Sequence, residues 1–169
     1  MRVLVTVASR HGGTREIGQA VAQVLRDAGH QVTETDPDDV RALDGYDAVV
    51  LGSSVYVGRL AAALRELVDR LAGGLASLPV WLFWSGPVGT PPLPAGEPDD
   101  VGVVARRVRA RETRCFAGRL EREELGLAER ALVAMIDAQP GDFRDFEDVE
   151  EWAAGIAREL SRPQRVERG

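Results

Sequence analysis

The sequence predicts an α/β fold, a doubly wound three-layer sandwich around a five-stranded parallel sheet with the strand order 2-1-3-4-5. Two observations lead to this prediction. Apolar, β-branched runs alternate with segments of helical periodicity along the chain. The third run, residues 46–52 (YDAVVLG), is almost continuously apolar, as expected for a parallel strand buried on both faces, whereas the second run is short and polar and suits a sheet edge.

The first half of the chain supplies three strands and one helix. Residues 2–8 (RVLVTVA) are a β-branched run bounded by a turn and predict the first strand. In residues 14–29 (TREIGQAVAQVLRDAG), apolar side chains recur on one helical face, and Gly29 ends the helix. Residues 30–36 (HQVTETD) predict the edge strand, and residues 46–52 predict the third strand.

The second half of the chain continues the alternation. Residues 59–74 (RLAAALRELVDRLAGG) predict a helix that buries its leucines. Residues 79–85 (PVWLFWS) and 113–120 (TRCFAGRL) predict the fourth and fifth strands, and residues 149–161 (VEEWAAGIARELS) predict the last helix.

Composition limits the classes of function. The chain has 169 residues, 44% of them hydrophobic, which predicts one domain over residues 1–161 and a polar tail over residues 162–169. Its net charge of -6 argues against a nucleic-acid partner, and no apolar run is long enough for an integral membrane protein. The lone Cys115 cannot form a disulfide within the chain, which favours the cytoplasm, and its apolar surroundings predict a buried core residue.

Three loops are expected to form a ligand site. In a doubly wound sheet, ligands bind beyond the carboxyl ends of the strands, where the strand order reverses. The loops after the first, third and fourth strands begin at residues 9, 53 and 85 and read SRHGGT, SSVYVGR and SGPVGTPPLPAGEPDD. All three are rich in Gly, Ser or Pro, and their coincidence at one edge predicts a site there.

The first loop has the features of an anion site. Gly12 and Gly13 let the backbone approach a ligand, and the free N–H groups of the following helix favour negative charge. The hydroxyls of Ser9 and Thr14 can donate to phosphate oxygens, and Thr14 can instead cap the helix. His11 is interpreted as a polar loop residue rather than a catalytic base. The alternative is a capped turn that holds no ligand.

Several phosphate-binding classes do not fit this loop. The chain contains no lysine, which excludes a Walker-type phosphate loop and a Schiff-base enzyme. The glycines stand at positions 12, 13 and 18, which is not the dinucleotide fingerprint. A phosphoacceptor receiver would need acidic residues where this chain has Ala8 and Ser9 and where it has Gly52 and Ser53. With two histidines and one cysteine, no zinc-ligand spacing and hence no metal site is predicted.

The pattern S-x-x-G-x-T of residues 9–14 resembles the phosphate loop of flavodoxins, which bind FMN. The longer string SRHGGTREI resembles the flavodoxin-type, menaquinone-dependent protoporphyrinogen dehydrogenases more closely, as do YDAVVLGSSVYVGRL, RCFAGRLEREELGLAERALVAMI and GDFRDFEDVEEWA. The likeness covers most of the chain. It implies a flavodoxin-like fold and an FMN cofactor whose own ring carries the chemistry.

The resemblance also implies which residues surround the FMN. The phosphate would be held by Ser9, Arg10, His11, Gly12, Gly13 and Thr14. One side of the flavin ring would be lined by Ser53, Ser54, Val55, Tyr56, Val57 and Gly58, and the other side by Ser85, Gly86, Pro87, Val88 and Gly89. No catalytic acid or base is implied.

Two departures from that branch bear on function. The dehydrogenases have an aromatic residue directly before the glycine that corresponds to Gly58, whereas here Val57 stands there and Tyr56 comes one residue earlier. They also carry a long basic insertion after the fourth strand, whereas residues 86–100 of this chain are proline-rich and acidic. The carboxylates of residues 86–100 would repel a membrane surface or an anionic porphyrin.

Three functions therefore stay open. The first is an FMN-dependent oxidoreductase that oxidises a porphyrinogen-like substrate and passes electrons to a quinone. The second is an electron carrier that shuttles between redox partner proteins, which the acidic charge balance favours. The third is a flavin-free binding or regulatory domain. Arginines between residues 106 and 114 and acids between residues 121 and 151 are either solvated helix faces or docking surfaces for partners of opposite charge.

Overall fold

A parallel five-stranded sheet lies at the centre of the computed structural model, which describes residues 1–162. The elements in chain order are β1 (Arg2–Ala8), α1 (Gly13–Asp27), β2 (Gln31–Thr35), β3 (Ala48–Tyr56), β4 (Arg59–Leu60), α2 (Ala62–Ala76), β5 (Val80–Ser85), α3 (Asp99–Val108), β6 (Glu112–Phe116), β7 (Arg119–Leu120), α4 (Leu127–Met135), β8 (Gly141–Asp142) and α5 (Phe146–Leu160). The sheet order is β2-β1-β3-β5-β6 with parallel neighbours throughout. Because β4 only extends the end of β3 as a hairpin, this is the predicted order 2-1-3-4-5, and the doubly wound fold is confirmed.

Two hydrophobic clusters cover the two faces of the sheet. Successive residues of a strand point to opposite faces, so Val5 of β1 packs with α1 and α5 while Leu4 packs with α2 and α3. The tryptophans of β5 divide in the same way, with Trp81 on the α1 and α5 side and Trp84 on the other. Both faces are therefore buried, which explains the nearly continuous apolar runs of the central strands.

The fifth strand is shorter than the sequence predicts. Residues 113–120 were expected to form one strand, but β6 ends at Phe116 and the chain turns into the two-stranded β7–β8 ribbon. The turn passes close to the loop after β5, where a Cβ on Gly118 would lie 3.3 Å from backbone atoms of Gly86. The crossing brings the segment after β6 over the carboxyl end of the sheet.

Cys115 is exposed, so its prediction as a core residue is wrong. The reason is its place on the edge strand β6, where Phe116 is the one residue of five that is buried. Partial desolvation, followed by the negative charge of Glu97, raises the pKa of the Cys115 thiol to about 11. The thiol is therefore protonated at neutral pH.

The expected tail, residues 162–169, lies outside the described residues from position 163 onward, and the single domain over residues 1–161 stays a prediction. Within residues 1–162, none of the helices combines the length and the apolar character that crossing a bilayer requires.

Candidate functional site

A cavity of about 400 Å³ opens at the carboxyl ends of β1, β3 and β5. Its volume lies within the range of about 300–1,000 Å³ that is usual for sites of small molecules and cofactors. The three predicted loops all contribute to it, and so does the segment from Gly118 to Ala138. The cavity thus forms where the strand order reverses, between β1 and β3.

The first loop presents unpaired hydrogen-bond donors to this cavity. Gly12 has a φ of +81° and is the N-cap of α1, so the helix starts directly at the loop. Thr14 is buried in the first turn of α1 and does not cap the helix, since Gly12 takes that place. The hydroxyl of Ser9 is buried and has no hydrogen-bond partner within residues 1–162. An acceptor entering the cavity would satisfy it.

Two arginines hold the first loop from the opposite side. Arg119 donates to the carbonyl of His11 at 3.2 Å, and Arg144 donates to the carbonyl of Gly13 at 3.2 Å. Arg144 is itself fixed by Asp142 and Glu16, and the Asp142 contact is the main reason why its pKa is raised. The arginines bind carbonyl oxygens of the loop, whereas the first N–H groups of α1 have no partner within the helix and are available for an anion.

The second loop is the β3–β4 hairpin. Val57 and Gly58 both have positive φ, +51° and +68°, and Val57 is 64% exposed at the tip. The guanidinium of Arg10 lies 4.5 Å from the centroid of the Tyr56 ring, which is the geometry of a cation–π contact. Burial, and then the nearby charge of Glu129, raise the pKa of Tyr56, so its hydroxyl is protonated at neutral pH.

The third loop closes the floor of the cavity. Ser85 is buried at the end of β5, and Val88 forms an antiparallel bridge with Leu93 that folds the loop back on itself. Gly86 packs closely against β3, because a Cβ there would stand 3.3 Å from the carbonyl oxygen of Val55. The third loop therefore packs directly against the end of β3.

The structure brings thirteen of the seventeen predicted site residues to the cavity. They are Ser9, Arg10, His11, Gly13, Thr14, Ser54, Val55, Tyr56, Val57, Gly58, Ser85, Gly86 and Val88. Four others, Gly12, Ser53, Pro87 and Gly89, are absent from its lining. Ser53 has a structural task instead, since its hydroxyl donates to the carbonyl of Ser54 at 2.8 Å and accepts from the N–H of Ala61 at 2.9 Å.

One wall of the cavity was not predicted from the sequence. It consists of Leu93 and Pro94 together with Gly118, Arg119, Leu120, Leu125, Leu132, Val133, Ile136 and Ala138. The apolar residues are visible in the sequence, because Leu125, Leu132 and Ile136 recur at helical spacing within the acidic segment, which the sequence leaves as either a solvated helix face or a docking surface. Leu132 and Val133 of α4 face the cavity, together with Leu125 before the helix and Ile136 and Ala138 after it.

Glu129 of α4 is the other residue that the sequence did not reveal. Its side chain is only 5% exposed, and its carboxylate oxygen Oε1 lies 2.9 Å from Arg10 Nε and 3.0 Å from His11 Nε2. Its oxygen Oε2 accepts from the N–H of Gly126 at 2.7 Å. Burial acts to raise the pKa of this carboxyl, but the Gly126 N–H, His11 and Arg10 outweigh burial and hold its pKa below the usual range. Glu129 is therefore a buried, charged contact between α4 and the first loop.

The arginine-rich segment is largely paired within the chain. Arg107 contacts Asp69, Arg111 contacts Glu159, and Arg114 lies 2.5 Å from Asp148. These pairs join α3 and β6 to their neighbouring helices. They leave less free positive charge for docking than the sequence implies.

The fold and the cavity together define a class of protein. Five parallel strands in this order, a glycine-containing first loop at the start of a helix and a cavity at the reversal of strand order are the features of a flavodoxin-fold protein. The chain belongs to the flavodoxin domain family, whose model matches residues 4–146. The predicted resemblance to flavodoxins is thereby confirmed.

Solved structures agree on the fold. A flavodoxin from the domain Archaea superposes with a TM-score of 0.67 at 14% identity, covering 96% of this chain and 100% of that chain. A mutant of the flavodoxin from Pseudomonas aeruginosa superposes with a TM-score of 0.64 at 17% identity, covering 96% and 100%. At these identities the likeness concerns the fold alone.

A sequence relative points to one branch of the family. The protoporphyrinogen IX dehydrogenase (quinone) of Escherichia coli strain K12 is 32% identical over 81 residues, which are 47% of this chain and 45% of the relative. The chain thus spans less than half the length of the curated relatives that it matches.

Proposed function

We propose that this protein binds FMN in the cavity and acts as an FMN-dependent oxidoreductase. The observation that carries the proposal is the first loop, where the buried hydroxyl of Ser9 has no partner within residues 1–162 and the start of α1 faces the same cavity. A phosphate group would satisfy these donors together. The family membership and the size of the cavity support the same cofactor.

The residues that line the cavity suit the chemical groups of FMN. Ser9, Thr14 and the N–H groups at the start of α1 would hold the phosphate, while Ser54–Gly58 and Ser85–Val88 would flank the ring. The cavity is predominantly apolar beyond the first loop, as a planar aromatic ring requires. When bound, FMN supplies reversible two-electron chemistry, and the protein supplies its binding and surroundings.

The wall from α4 favours an enzyme over a carrier. A carrier needs the edge of its flavin open to the redox centre of a partner protein. Here Leu132, Val133 and Ile136 line the cavity and give it an apolar side that a small-molecule substrate could contact. The ring of a quinone acceptor suits an apolar wall of this kind, and the relative from Escherichia coli is named for the oxidation of a porphyrinogen by a quinone.

The acidic third loop opposes this assignment less than its composition implies. Asp100 is partly buried, and both of its carboxylate oxygens accept from the N–H of Leu60, at 3.2 and 3.0 Å. It therefore anchors α3 to β4 rather than facing incoming substrate. Glu97 and Asp99 remain exposed.

A carrier between redox proteins is the second candidate. The net charge of -6 and the exposed, apolar tip of the second loop at Val57 favour it, because such a tip offers a partner a contact beside the cavity. The absorption spectrum of the protein as isolated tests the binding of FMN. If FMN is bound, the spectrum shows the bands of oxidised flavin, and the flavin that heat denaturation releases is FMN rather than FAD.

Turnover separates the two candidates. The enzyme predicts that protoporphyrinogen or coproporphyrinogen reduces the bound flavin and that a quinone reoxidises it over many cycles. A flavin that exchanges electrons only with redox proteins identifies the carrier. Protein that is colourless after incubation with excess FMN and removal of the unbound flavin would refute both candidates.

A further inference from the structure

Glu129 connects helix α4, which we call the cover of the cavity, to the first loop, where the phosphate would bind. Its carboxylate is the only acidic side chain that is buried among residues 1–162. It contacts Arg10 and His11 of the first loop through one oxygen and the N–H of Gly126 at the start of α4 through the other. Burial of a carboxylate lowers the stability of the folded protein unless charged or N–H donors surround it. The burial of Glu129 is therefore not explained by the general acidity of the surface.

Helix α4 has little else to hold it in place. No residue of Leu127–Met135 belongs to either of the two hydrophobic clusters within the described chain. Its inner residues Leu132 and Val133 face the cavity, and its outer residues Leu127 and Met135 are 88% and 83% exposed. The helix therefore rests on the cavity itself, and Glu129 is its charged attachment to the rest of the protein.

The position of this attachment matters for a bound cofactor. Arg10 and His11 belong to the loop that would hold the phosphate, and Arg10 also stacks on Tyr56 of the second loop. Because Arg10 pairs with Glu129, the carboxylate places less net negative charge near the helix start, where the phosphate would bind. One carboxylate thus ties together the cover and two of the three loops.

We propose that Glu129 is a positioning residue that fastens α4 over the cofactor cavity through Arg10 and His11. The proposal rests on the proposed binding of FMN. A fastened cover has to open before flavin leaves, so the contact slows release more than it speeds association. Unfastening shortens the residence time of the flavin and leaves the two cores intact.

The first test compares flavin kinetics in four proteins: wild type, Glu129→Ala, Glu129→Gln and the control Glu123→Ala. Glu123 is an exposed acid just before α4. Stopped-flow fluorescence follows the binding of FMN and its release. We expect release from Glu129→Ala to be roughly 10- to 100-fold faster, as for the loss of a hydrogen bond to a charged group, with association changed less than about threefold. Glu129→Gln keeps an acceptor oxygen and should fall between Glu129→Ala and wild type.

The second test needs no flavin. Hydrogen–deuterium exchange of the flavin-free proteins should be faster in residues 126–137 of Glu129→Ala than of wild type, with α1 and α5 unchanged. Faster exchange across α1 and α5 as well would show general destabilisation and overturn the proposal. Unchanged release and unchanged exchange in Glu129→Ala would overturn it too.

The two tests also separate this inference from the proposed function. If wild type fails to bind FMN, the proposed function is wrong, and the exchange experiment still decides whether Glu129 fastens α4. If wild type binds FMN and Glu129→Ala releases it at the rate of Glu123→Ala, the function stands and the fastening role is wrong.

Discussion

The substitution Gly52→Ala tests the packing beneath the cavity. A Cβ on Gly52 would lie 2.3 Å from Cζ, 2.6 Å from Cε1 and 3.0 Å from Cε2 of Phe83, whereas ordinary contact begins near 3.4 Å. The ring would have to retreat by about 1 Å to restore contact. Phe83 is fully buried, and its ring packs edge-on against Phe116 and Trp152, each with centroids 5.9 Å away. The ring therefore has nowhere to move.

We expect Gly52→Ala to lower the free energy of unfolding by about 3 kcal/mol or more, the upper end of the overpacking range. Urea denaturation measures the effect, with an unchanged m-value showing that the native state is retained. The matched control is Gly73→Ala in α2, where an added Cβ meets nothing within 4 Å and should stabilise by roughly 0.5–1 kcal/mol.

A double-mutant cycle makes the cause specific. Phe83→Leu removes the ring that Gly52→Ala overlaps, so the double variant should be less destabilised than the sum of the single variants. Additive effects would show that the cost of Gly52→Ala arises elsewhere. A loss of less than about 1 kcal/mol in Gly52→Ala alone would refute the packing described for β3 and β5.

Four further outcomes are expected. Thr14→Asp should weaken FMN binding by roughly a hundredfold or more, because like charges a few ångström apart repel by about 2–4 kcal/mol at an effective dielectric of about 20. The fold should be retained, since an acid in the first turn of α1 stabilises the helix. Equal FMN affinities of Thr14→Asp and Thr14→Ser in fluorescence titrations would place the phosphate elsewhere. His30→Leu should be neutral or stabilising in urea, since both ring nitrogens are buried without a partner within residues 1–162, and a loss above about 1.5 kcal/mol would reveal an unseen partner. Because the pKa of Glu129 is lowered in the folded protein, its stabilising effect is present above the usual carboxyl pKa and is lost as the pH falls. The free energy of unfolding of wild type should therefore fall more than that of Glu129→Gln between about pH 5 and pH 3. An equal fall in the two proteins would contradict this. Cys115 should react with iodoacetamide at pH 8 more than roughly tenfold slower than a cysteine peptide despite its exposure, and rates that match the peptide would contradict the raised pKa.

The features that could be predicted from the sequence are those that depend on residues close together in the chain. The alternation of strands and helices predicted the sheet order, and the first loop predicted its own place at the start of α1, because both follow from residues close together in the chain. The resemblance places Ser53 beside the flavin ring, but Ser53 is absent from the cavity lining and its hydroxyl accepts from the N–H of Ala61, since a resemblance in sequence does not settle which way a hydroxyl faces. Cys115 was misplaced for a related reason, because its apolar neighbours in sequence do not surround it at the edge of the sheet.

The wall from α4 shows what local patterns leave out. Its residues follow the last sheet strand, yet they reach the first loop more than a hundred positions earlier, where Glu129 contacts His11 across 118 positions of sequence. An acidic, amphipathic segment with this spacing is as compatible with a solvated surface helix as with a cover. The helix packs against a cavity, and the sequence pattern does not reveal where that cavity forms. The distinction came from the burial of one carboxylate.

The separation between core and cover has a consequence for how cofactor binding and folding depend on each other. The two hydrophobic clusters are complete without α4, so the sheet and its loops can form before the cover is seated. The cover then gains its contacts from the cavity side, and a ring placed between the loops would add to those contacts. Flavin should therefore order α4 more than it stabilises the sheet, since a ligand protects the parts of a protein that it contacts directly. Addition of FMN is expected to slow hydrogen exchange in residues 126–137 by a larger factor than in the central strands. Equal protection of both regions would show that α4 is an integral part of the folded core.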